Sequence, residues 1–577
     1  MRADEVVLDE DQRRVVEAEP DRRQIVTAGP GAGKTEVVAG LVRHLIDAHE
    51  TYPEEILVVS FSRAAVHAVR RRLADTVTDA HLVSVRTLDS LAYELMVESG
   101  EQVAGFDATV RAATATLEAN GWQFLEQIRH IIVDEVQDIV GIRARLVLAL
   151  LHNIEPDAGY TLLGDPLQAI YDFQLTEAGK RDRVRLLDIV ECDAALTNHC
   201  LSNEYRSRSA DASSAAVLRK NLLEATDDLV RRTLVEDFAA NLVSIGDLEA
   251  EGQLIERWTG TTAVLCRDNI DVLRAAGMLR AAGLHATVQR AATEQSYAPW
   301  IAQLFGDVPS TMISRQSFLA LAETVQLDDA DLAWSALRRT AESRGADLDL
   351  RALARGLRAG RRCVDLESSP ATQVVVTTVH RAKGLQFDNV VLVNATNWLR
   401  DADAESIRVL FVALTRSRDR LAVATLRQER GWMQSGPNER YFRRGPQRWQ
   451  TFGVEIRGAD TRGLGPTSEP MINGVGRAVS WRLDRDTSNL TVPFYQAIQN
   501  DHVVARTTRE FGEDLEARIG SAERRATPWP SLGAGGFVEA LETVAGNPAA
   551  NVGPGRHGLW LSARISGVID LAWREQS

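Results

Sequence analysis

Residues Ala28-Gly29-Pro30-Gly31-Ala32-Gly33-Lys34-Thr35 follow the apolar run Gln24-Ile25-Val26-Thr27 and precede a helix-forming stretch that begins at Glu36. A strand, a glycine-rich loop and a helix in that order suit a polyphosphate. The glycines let successive backbone N–H groups close around the anion, and the helix offers it a positive N-terminal end. In such a loop Lys34 reaches the β- and γ-phosphates and the Thr35 hydroxyl holds Mg²⁺. Further along, Ile131-Ile132-Val133-Asp134-Glu135-Val136-Gln137-Asp138 is an apolar strand ending in adjacent carboxylates. Asp134 is placed to hold the same Mg²⁺ and Glu135 to polarise an attacking water. Alone, an Asp-Glu pair says little; behind a phosphate loop it completes a nucleotide hydrolase site.

Elements that position these residues are legible around them. Strands are expected at Gln24–Ala28, Ile56–Phe61, His81–Val85, His130–Val133 and Tyr160–Leu163, with helices at 36–49 and 63–78. The alternation resumes at Thr262–Cys266, His285–Gln289, Val374–Val379, Val390–Asn394 and Arg420–Thr425, with a helix over 405–419. Strands alternating with helices predict an α/β protein of two parallel-sheet lobes. The expected division is 1–200 for the first lobe, with a helical insertion at 91–127, and 201–427 for the second, with a helical insertion at 293–368. The Arg-, Gly- and Pro-rich stretch 430–470 reads as linker or irregular structure. Beyond it Val479–Leu483, Val503–Thr507 and Gly558–Ile565 read as short strands of a small β-rich or mixed domain within 428–577. Six of the eleven tryptophans fall after residue 430, so this tail is expected to have its own core.

Composition sets the class. At 577 residues the chain has room for three or four domains. A net charge of −14 argues against coating nucleic acid by bulk attraction but leaves room for local basic grooves. Arg70-Arg71-Arg72, Arg358 with Arg361-Arg362, and Arg443-Arg444 are candidate patches, each taken singly more readily read as a solvated face. A charged N-terminus without an apolar segment, and no apolar run near the ~20 residues of a membrane span, lead us to expect a cytoplasmic protein. Cys192, Cys200, Cys266 and Cys363 match no zinc spacing and read as reduced thiols.

The motifs together resemble the UvrD/Rep-type superfamily 1 DNA helicases. They are Gly33-Lys34-Thr35, Asp134 to Asp138, Gly164-Asp165-Pro166-Leu167-Gln168-Ala169-Ile170-Tyr171, Asn203-Glu204-Tyr205-Arg206-Ser207, Thr378 to Phe387, and Leu410 to Arg416. The resemblance covers roughly residues 8–425 and implies two RecA-like lobes with ATP between them, moving 3′ to 5′ along single-stranded DNA. It implies that Gln12 reads the adenine edge, Tyr205 stacks on the base, Gln168 senses the γ-phosphate and Gln386 meets the ribose. Arg206 and Arg416 become arginine fingers. For DNA it implies Phe61, Tyr171 and Phe173 as base contacts, Thr87 and Thr378 as phosphate contacts, and His380 as a link between the DNA and ATP sites. Core packing is the alternative for each of these aromatics, Phe61 above all, and for His380.

The chain also departs from the family pattern. Thr87-Leu88-Asp89-Ser90 replaces Thr-Phe-His, Gln174 stands where arginine is common, Gln386 replaces glutamate, and Glu204 alters the Asn-Tyr-Arg-Ser spacing. Both insertions are short for a processive helicase. The expected substrates are single-stranded or tailed duplex DNA, with RNA as a lesser alternative, ATP and Mg²⁺ as cofactors, and no membrane. A protein partner such as a nuclease or repair factor is also expected. A second reading is an ATP-gated, DNA-sensing regulatory subunit that controls such a partner. Ser566-Gly567-Val568-Ile569-Asp570 faintly resembles a nuclease strand, but no lysine follows it, so nuclease activity is not expected of this chain.

Overall fold

The computed structural model describes residues 7–101, 103, 105–171, 184–289, 296–327, 329–343, 345–359, 366, 373–399, 403–427, 431–435, 439–444, 451–462, 474–489, 491–519, 529–546 and 557–573. By its internal contacts the chain forms two compact units. One comprises residues 1–244 with 379–423, the other 245–378 with 424–577.

The first unit is built on strands β1 (Arg23–Ala28), β2 (Ile56–Ser60), β3 (Ser84–Thr87), β4 (His130–Asp134), β5 (Gly159–Gly164) and β6 (Thr197–Leu201). They form one sheet in the order β3-β2-β4-β5-β1-β6, every pair parallel. The central strands are almost uninterrupted hydrophobic runs, as expected where helices cover both faces. Their alternation sorts successive residues to opposite sides. Ile25, Leu57, Ile131 and Leu162 enter one core, and Val26, Val58, Ile132 and Leu163 the other. Helices Lys34–His49 and Arg63–Thr76 cover the second face.

The expected insertion at 91–127 forms helices Leu88–Glu98, Phe106–Asn120 and Gln123–Glu126. Leu91, Leu95, Val110 and Leu117 share the core of the sheet's other face, so this segment roofs the sheet. Two expectations for this unit shift. His81–Val85 is a 3-10 turn at Ala80–Leu82 followed by β3. The helix placed over 405–419 stops at Leu414.

Farther along lie β7 (Val243–Asp247), β8 (Thr262–Cys266), β9 (Ala286–Val288), β10 (Met312–Ile313), β11 (Leu348–Asp349), β12 (Val374–Thr378), β13 (Phe387–Val393) and β14 (Ser417–Thr425). The second six-stranded sheet has the order β7-β14-β13-β8-β12-β9, with β12 parallel to β8 and β9. Two parallel-sheet lobes are therefore present, as expected. Helices Pro299–Phe305, Arg315–Thr324, Ala330–Ala341 and Leu350–Arg358 form the second insertion around Phe305, Phe318, Trp334 and Leu353.

The tail departs most from expectation. Strands β15 (Trp432–Ser435), β16 (Arg440–Arg444), β17 (Thr451–Ile456), β18 (Thr461–Arg462), β19 (Ala478–Leu483), β20 (Tyr495–Gln499), β21 (His502–Thr507), β22 (Leu532–Ala545) and β23 (Leu559–Ala572) make one nine-stranded sheet. Its paired strands are antiparallel. The described parts of 430–470 are thus largely strand, not linker. The buried face of β16 carries Arg440 beside Phe442, and that charge hides the alternation. Trp481, Tyr495 and Phe511 are fully buried in the sheet's own core. The hairpin β22–β23 also serves the helical insertion. Leu559 joins its core, and Thr543 Oγ1 donates to the Ala298 carbonyl at 2.7 Å.

Candidate nucleotide site and its aromatic neighbour

In a parallel sheet the loops that follow the strands share one edge, and ligands gather there. The loops after β1, β4 and β5 carry the phosphate loop, Asp134-Glu135 and Asp165 to Gln168. All the predicted nucleotide-site residues lie in the first compact unit.

Lys34 opens its helix, and its Nζ stands 3.1 Å from Glu135 Oε1. Burial alone would lower this ammonium, but Glu135, Asp134 and Asp165 outweigh it and hold Lys34 above its ordinary pKa. Burial works against the Glu135 carboxylate too, yet Lys34, Lys383 and the Gln137 amide hold it down to about 2. Glu135 has φ 58°, a left-handed conformation that a non-glycine residue adopts at a cost of roughly 1–3 kcal/mol, and such outliers cluster at functional sites. Gln137 ties this turn to the next loop, donating to Glu135 Oε2 and accepting from Asp165 N at 3.0 Å. Burial, and then the charge of Glu135, push the Asp134 carboxyl up to about 7 against the pull of Lys34. Such a carboxylate, together with the hydroxyl of Thr35, which follows Lys34 in the phosphate loop, is a hard-oxygen donor set short of positive charge. It fits Mg²⁺ held jointly with substrate phosphates. Among the described residues no cluster of three or more His, Cys, Asp or Glu side chains forms a metal cage of its own.

Gln168 is nearly buried and bridges several motifs. Its Nε2 donates to Asp165 Oδ2 at 2.9 Å, its Oε1 accepts from Arg416 Nη2 at 3.3 Å, and its carbonyl accepts from Lys383 Nζ. Arg416 sits between the helix ending at Leu414 and β14, where its Nε donates to the Val412 carbonyl at 2.9 Å. Arg206 Nη1 donates to the Thr415 carbonyl at 3.1 Å, and its Nε is buried without a hydrogen-bond partner among the described residues. Burial lowers Arg416 to about 10; burial and the neighbouring Arg416 lower Arg206 to about 9. Among the described residues their side-chain hydrogen bonds go to carbonyl, amide and hydroxyl oxygens and none to a carboxylate.

Over the loop, Gln12 Nε2 donates to the Ala32 carbonyl at 3.0 Å. Its helix is capped by Asp9, which also accepts from the Tyr205 hydroxyl and, at 2.9 Å, from Asn203 Nδ2. Tyr205 is 55% exposed, which leaves its ring available for stacking. Gln386 Oε1 accepts from Arg418 Nη2 at 2.7 Å.

Three residues without a predicted role belong here. Glu204, the extra residue in its motif, accepts from the N–H groups of Arg206 and Ser207 at 2.7 and 2.9 Å. Its Oε1 lies 2.3 Å from where a Cβ on Gly31 would stand, so that position, with φ +79°, admits only glycine. Arg219, from helix Ala210–Glu224, contacts both oxygens of fully buried Asp165 at 3.2 Å and lies against Gly29. Nothing in the sequence marks Arg219, because its contact is purely tertiary. Lys383 makes an ion pair with Asp138, their side chains 5% and 4% exposed. Both stood inside recognised motifs as charges without a role, and that was the available signal.

Of the predicted DNA contacts, Phe61, Tyr171 and His380 adjoin this cluster. Phe61 packs on the sheet core and meets the Tyr171 ring at 5.2 Å. The Tyr171 hydroxyl donates to the His380 carbonyl at 3.1 Å, and Lys383 Nζ lies 5.3 Å from the ring centroid. Thr87 ends β3 and caps the next helix in a reciprocal pair with Ser90. Asp89, where the pattern has histidine, pairs instead with Arg143 at 2.7 Å. Thr378 ends β12 in the other compact unit, and Phe173 and Gln174 lie outside the described residues.

Known proteins match in the same places. The UvrD/REP helicase N-terminal domain family model matches residues 8–122 and 104–180, and the UvrD-like helicase C-terminal domain model matches 373–424. The ATP-dependent DNA helicase srs2 of Schizosaccharomyces pombe is 28% identical over 98 residues, 17% of this chain and 11% of that protein. The ATP-dependent DNA helicase PcrA of Leuconostoc citreum is 25% identical over 138 residues, 23% of this chain and 17% of that protein. The chain thus spans less than a fifth of the length of these two relatives. A crystal structure of Pif1 helicase from Candida albicans aligns with a TM-score of 0.38 at 11% identity, covering 74% of this chain and 96% of that one.

Proposed function

Because the regions matched between residues 8 and 180 and over 373–424 make this chain a member of the UvrD/Rep-type superfamily 1 helicases, we propose that it is an ATP-hydrolysing DNA translocase and helicase, moving 3′ to 5′ on a single strand. The observation that carries the reading is the convergence of Lys34, Glu135, Gln168 and Arg416, with Arg206 beside them holding a buried, unpaired Nε.

In this reading Lys34 and the phosphate loop bind the polyphosphate, and Thr35 and Asp134 hold Mg²⁺, which supplies charge neutralisation. Glu135, ionised throughout the physiological range, accepts a proton from the attacking water. Arg206 and Arg416 neutralise charge that builds on the transferred group, in a buried setting where each contact counts for more than in water. Gln168 senses the γ-phosphate, Gln12 and Tyr205 hold the adenine and Gln386 the ribose.

Coupling to DNA follows from shared side chains. Lys383 touches Asp138 and the Gln168 carbonyl on one side and the Tyr171 ring on the other. Phe61, Tyr171 and Phe173 would take bases, Thr87 and Thr378 phosphates, and His380 would link the DNA and ATP sites. Loss of the γ-phosphate frees Gln168 and so disturbs the aromatic grip.

The test is steady-state ATP hydrolysis with and without single-stranded DNA, with equal-length RNA as comparator and Lys34→Ala as control, followed by strand displacement on a tailed duplex. DNA-stimulated hydrolysis with displacement is expected. Hydrolysis indifferent to DNA, or stimulation without displacement, would leave the ATP-gated regulatory subunit.

A further inference from the structure

The carboxylate of Asp165, in the loop after β5, is held from two directions. From its own turn, Oδ1 accepts from Leu167 N at 3.3 Å and Oδ2 from Gln168 Nε2 at 2.9 Å. From helix Ala210–Glu224, Arg219 closes on both oxygens at 3.2 Å through Nη2 and Nε. The Arg219 side chain is 13% exposed and that of Asp165 0%, so water is no ready substitute for either partner. The helix buries Ala212, Ala215, Leu218 and Leu222, and Arg219 stands beside that stripe. On the far side of the guanidinium, a Cβ added at Gly29 would stand 2.7 Å from Arg219 Nε, so the phosphate loop closes the space around it.

This arrangement decides which way Gln168 faces. A carboxylate only accepts hydrogen bonds, so Asp165 takes the Nε2 end of the Gln168 amide and leaves the Oε1 end to accept from Arg416 Nη2 at 3.3 Å. The paired donors of a guanidinium fix the plane of a carboxylate, which the point charge of an ammonium does not. Lys34 and Arg416 also feel the charge of Asp165, so without that fork the carboxylate has competing cations to turn towards.

We propose that Arg219 is a positioning residue for ATP hydrolysis: its fork holds Asp165 in the orientation that presents Gln168 Oε1 to Arg416. The proposal rests on the nucleotide-hydrolysis reading above and adds to it a residue that acts through Gln168.

The experiment is steady-state ATP hydrolysis by the purified chain, with kcat and KM separated, for wild type, Arg219→Lys, Gln168→Ala and the double variant, with Lys34→Ala as control. Arg219→Lys keeps the charge that buried Asp165 needs and removes only the fork. It is expected to lower kcat by about tenfold, the lower end of what loss of an outer orienting partner costs, and to leave KM for ATP unchanged. The double variant should have the kcat of Gln168→Ala alone, because the two positions act in one chain. Losses that multiply overturn the proposal, since Arg219 would then act independently of Gln168. A raised KM with unchanged kcat overturns it by placing Arg219 in polyphosphate binding. A lowered urea midpoint with wild-type kcat per folded molecule overturns it by making Arg219 a structural ion pair. Asp165→Asn weakens the same link from the other end, is expected to give the same pattern, and decides the matter if Arg219→Lys folds poorly. Wild type that hydrolyses no ATP, or hydrolysis that survives Lys34→Ala, fails the functional reading and the proposal with it. Hydrolysis that depends on Lys34 but keeps its kcat in Arg219→Lys overturns the role of Arg219 alone.

Discussion

Two clusters of buried charge in this molecule respond to burial in opposite ways. At the strand ends of β1, β4 and β5, Arg206 and Arg416 are lowered to about 9 and 10, and Asp134 and Asp138 are raised to about 7. In the C-terminal sheet, Arg440 on β16 is buried equally deeply but is raised, because Asp460 and Asp514 outweigh desolvation. Its Nη1 and Nη2 meet Asp460 at 2.5 and 2.9 Å, its Nε meets Asp514 at 2.9 Å, and Nη1 also donates to the Glu455 carbonyl at 2.9 Å. The second cluster is complete within the chain. The first holds completed pairs as well, such as Lys34 with Glu135, but leaves Arg206, Arg416, Asp134 and Asp138 shifted the way burial alone would shift them, and these are the groups that the proposed polyphosphate and metal would meet. The groups left on burial's side are therefore the ones to test as ligand contacts, whereas Arg440 is satisfied within the chain.

The largest test of that contrast is to remove the groups proposed to meet the nucleotide. Lys34→Ala and Glu135→Gln should each abolish hydrolysis in a turnover assay, and Glu135→Gln should still bind nucleotide in a fluorescence titration. Arg416→Ala should slow turnover by about 10³-fold, the scale of arginine-finger loss. Normal turnover in that variant would remove Arg416 from the site.

The opposite outcome is expected of Arg440→Ala. Truncating one partner of a buried ion pair costs about 3–5 kcal/mol, because it strands the other charges away from water. Urea unfolding followed by tryptophan fluorescence should show a loss of that size, while ATP turnover per folded molecule stays at the wild-type value. A stability change below about 1 kcal/mol would mean that Asp460 and Asp514 find water or another cation, and the contrast between the clusters would fail.

The same contrast explains what the sequence shows and what it hides. The proposed nucleotide-site residues sit beside strand termini, where one short motif carries both backbone geometry and chemistry, so Lys34, Glu135, Gln168 and Arg416 stand out in the sequence as candidates. Arg219 does not, since its partners Asp165 and Gly29 are distant in the chain and its helix gives no local sign. β15 to β18 were hidden for the converse reason. Arg440 occupies a core position on β16, and a buried arginine breaks the apolar alternation by which strands are recognised. The early helical insertion was seen as helix, but its role as a roof on the sheet depends on tertiary packing of Leu91, Leu95 and Leu117.

A smaller effect probes a third kind of buried group, neutral and fully paired. His130, at the start of β4, bonds the Pro20 carbonyl through Nδ1 at 2.8 Å and Thr161 Oγ1 through Nε2 at 2.9 Å, and Gln24 Nε2 donates to the same Thr161 oxygen. With that oxygen accepting from Gln24, the threonine proton goes to Nε2, and the ring is the neutral tautomer protonated at Nδ1. Burial lowers its pKa from 6.5 to about 4. The unfolded chain therefore takes up a proton near pH 6.5 that the folded chain refuses until about pH 4, so stability falls as pH drops through that window. The shift corresponds to about 3 kcal/mol, lost between those limits and constant below them. His130→Gln carries no titrating ring and should show a flatter pH dependence of the urea midpoint over the same window. Parallel curves for the two proteins would mean that acid sensitivity arises from the carboxylates of the nucleotide site, and that the histidine is indifferent to its burial.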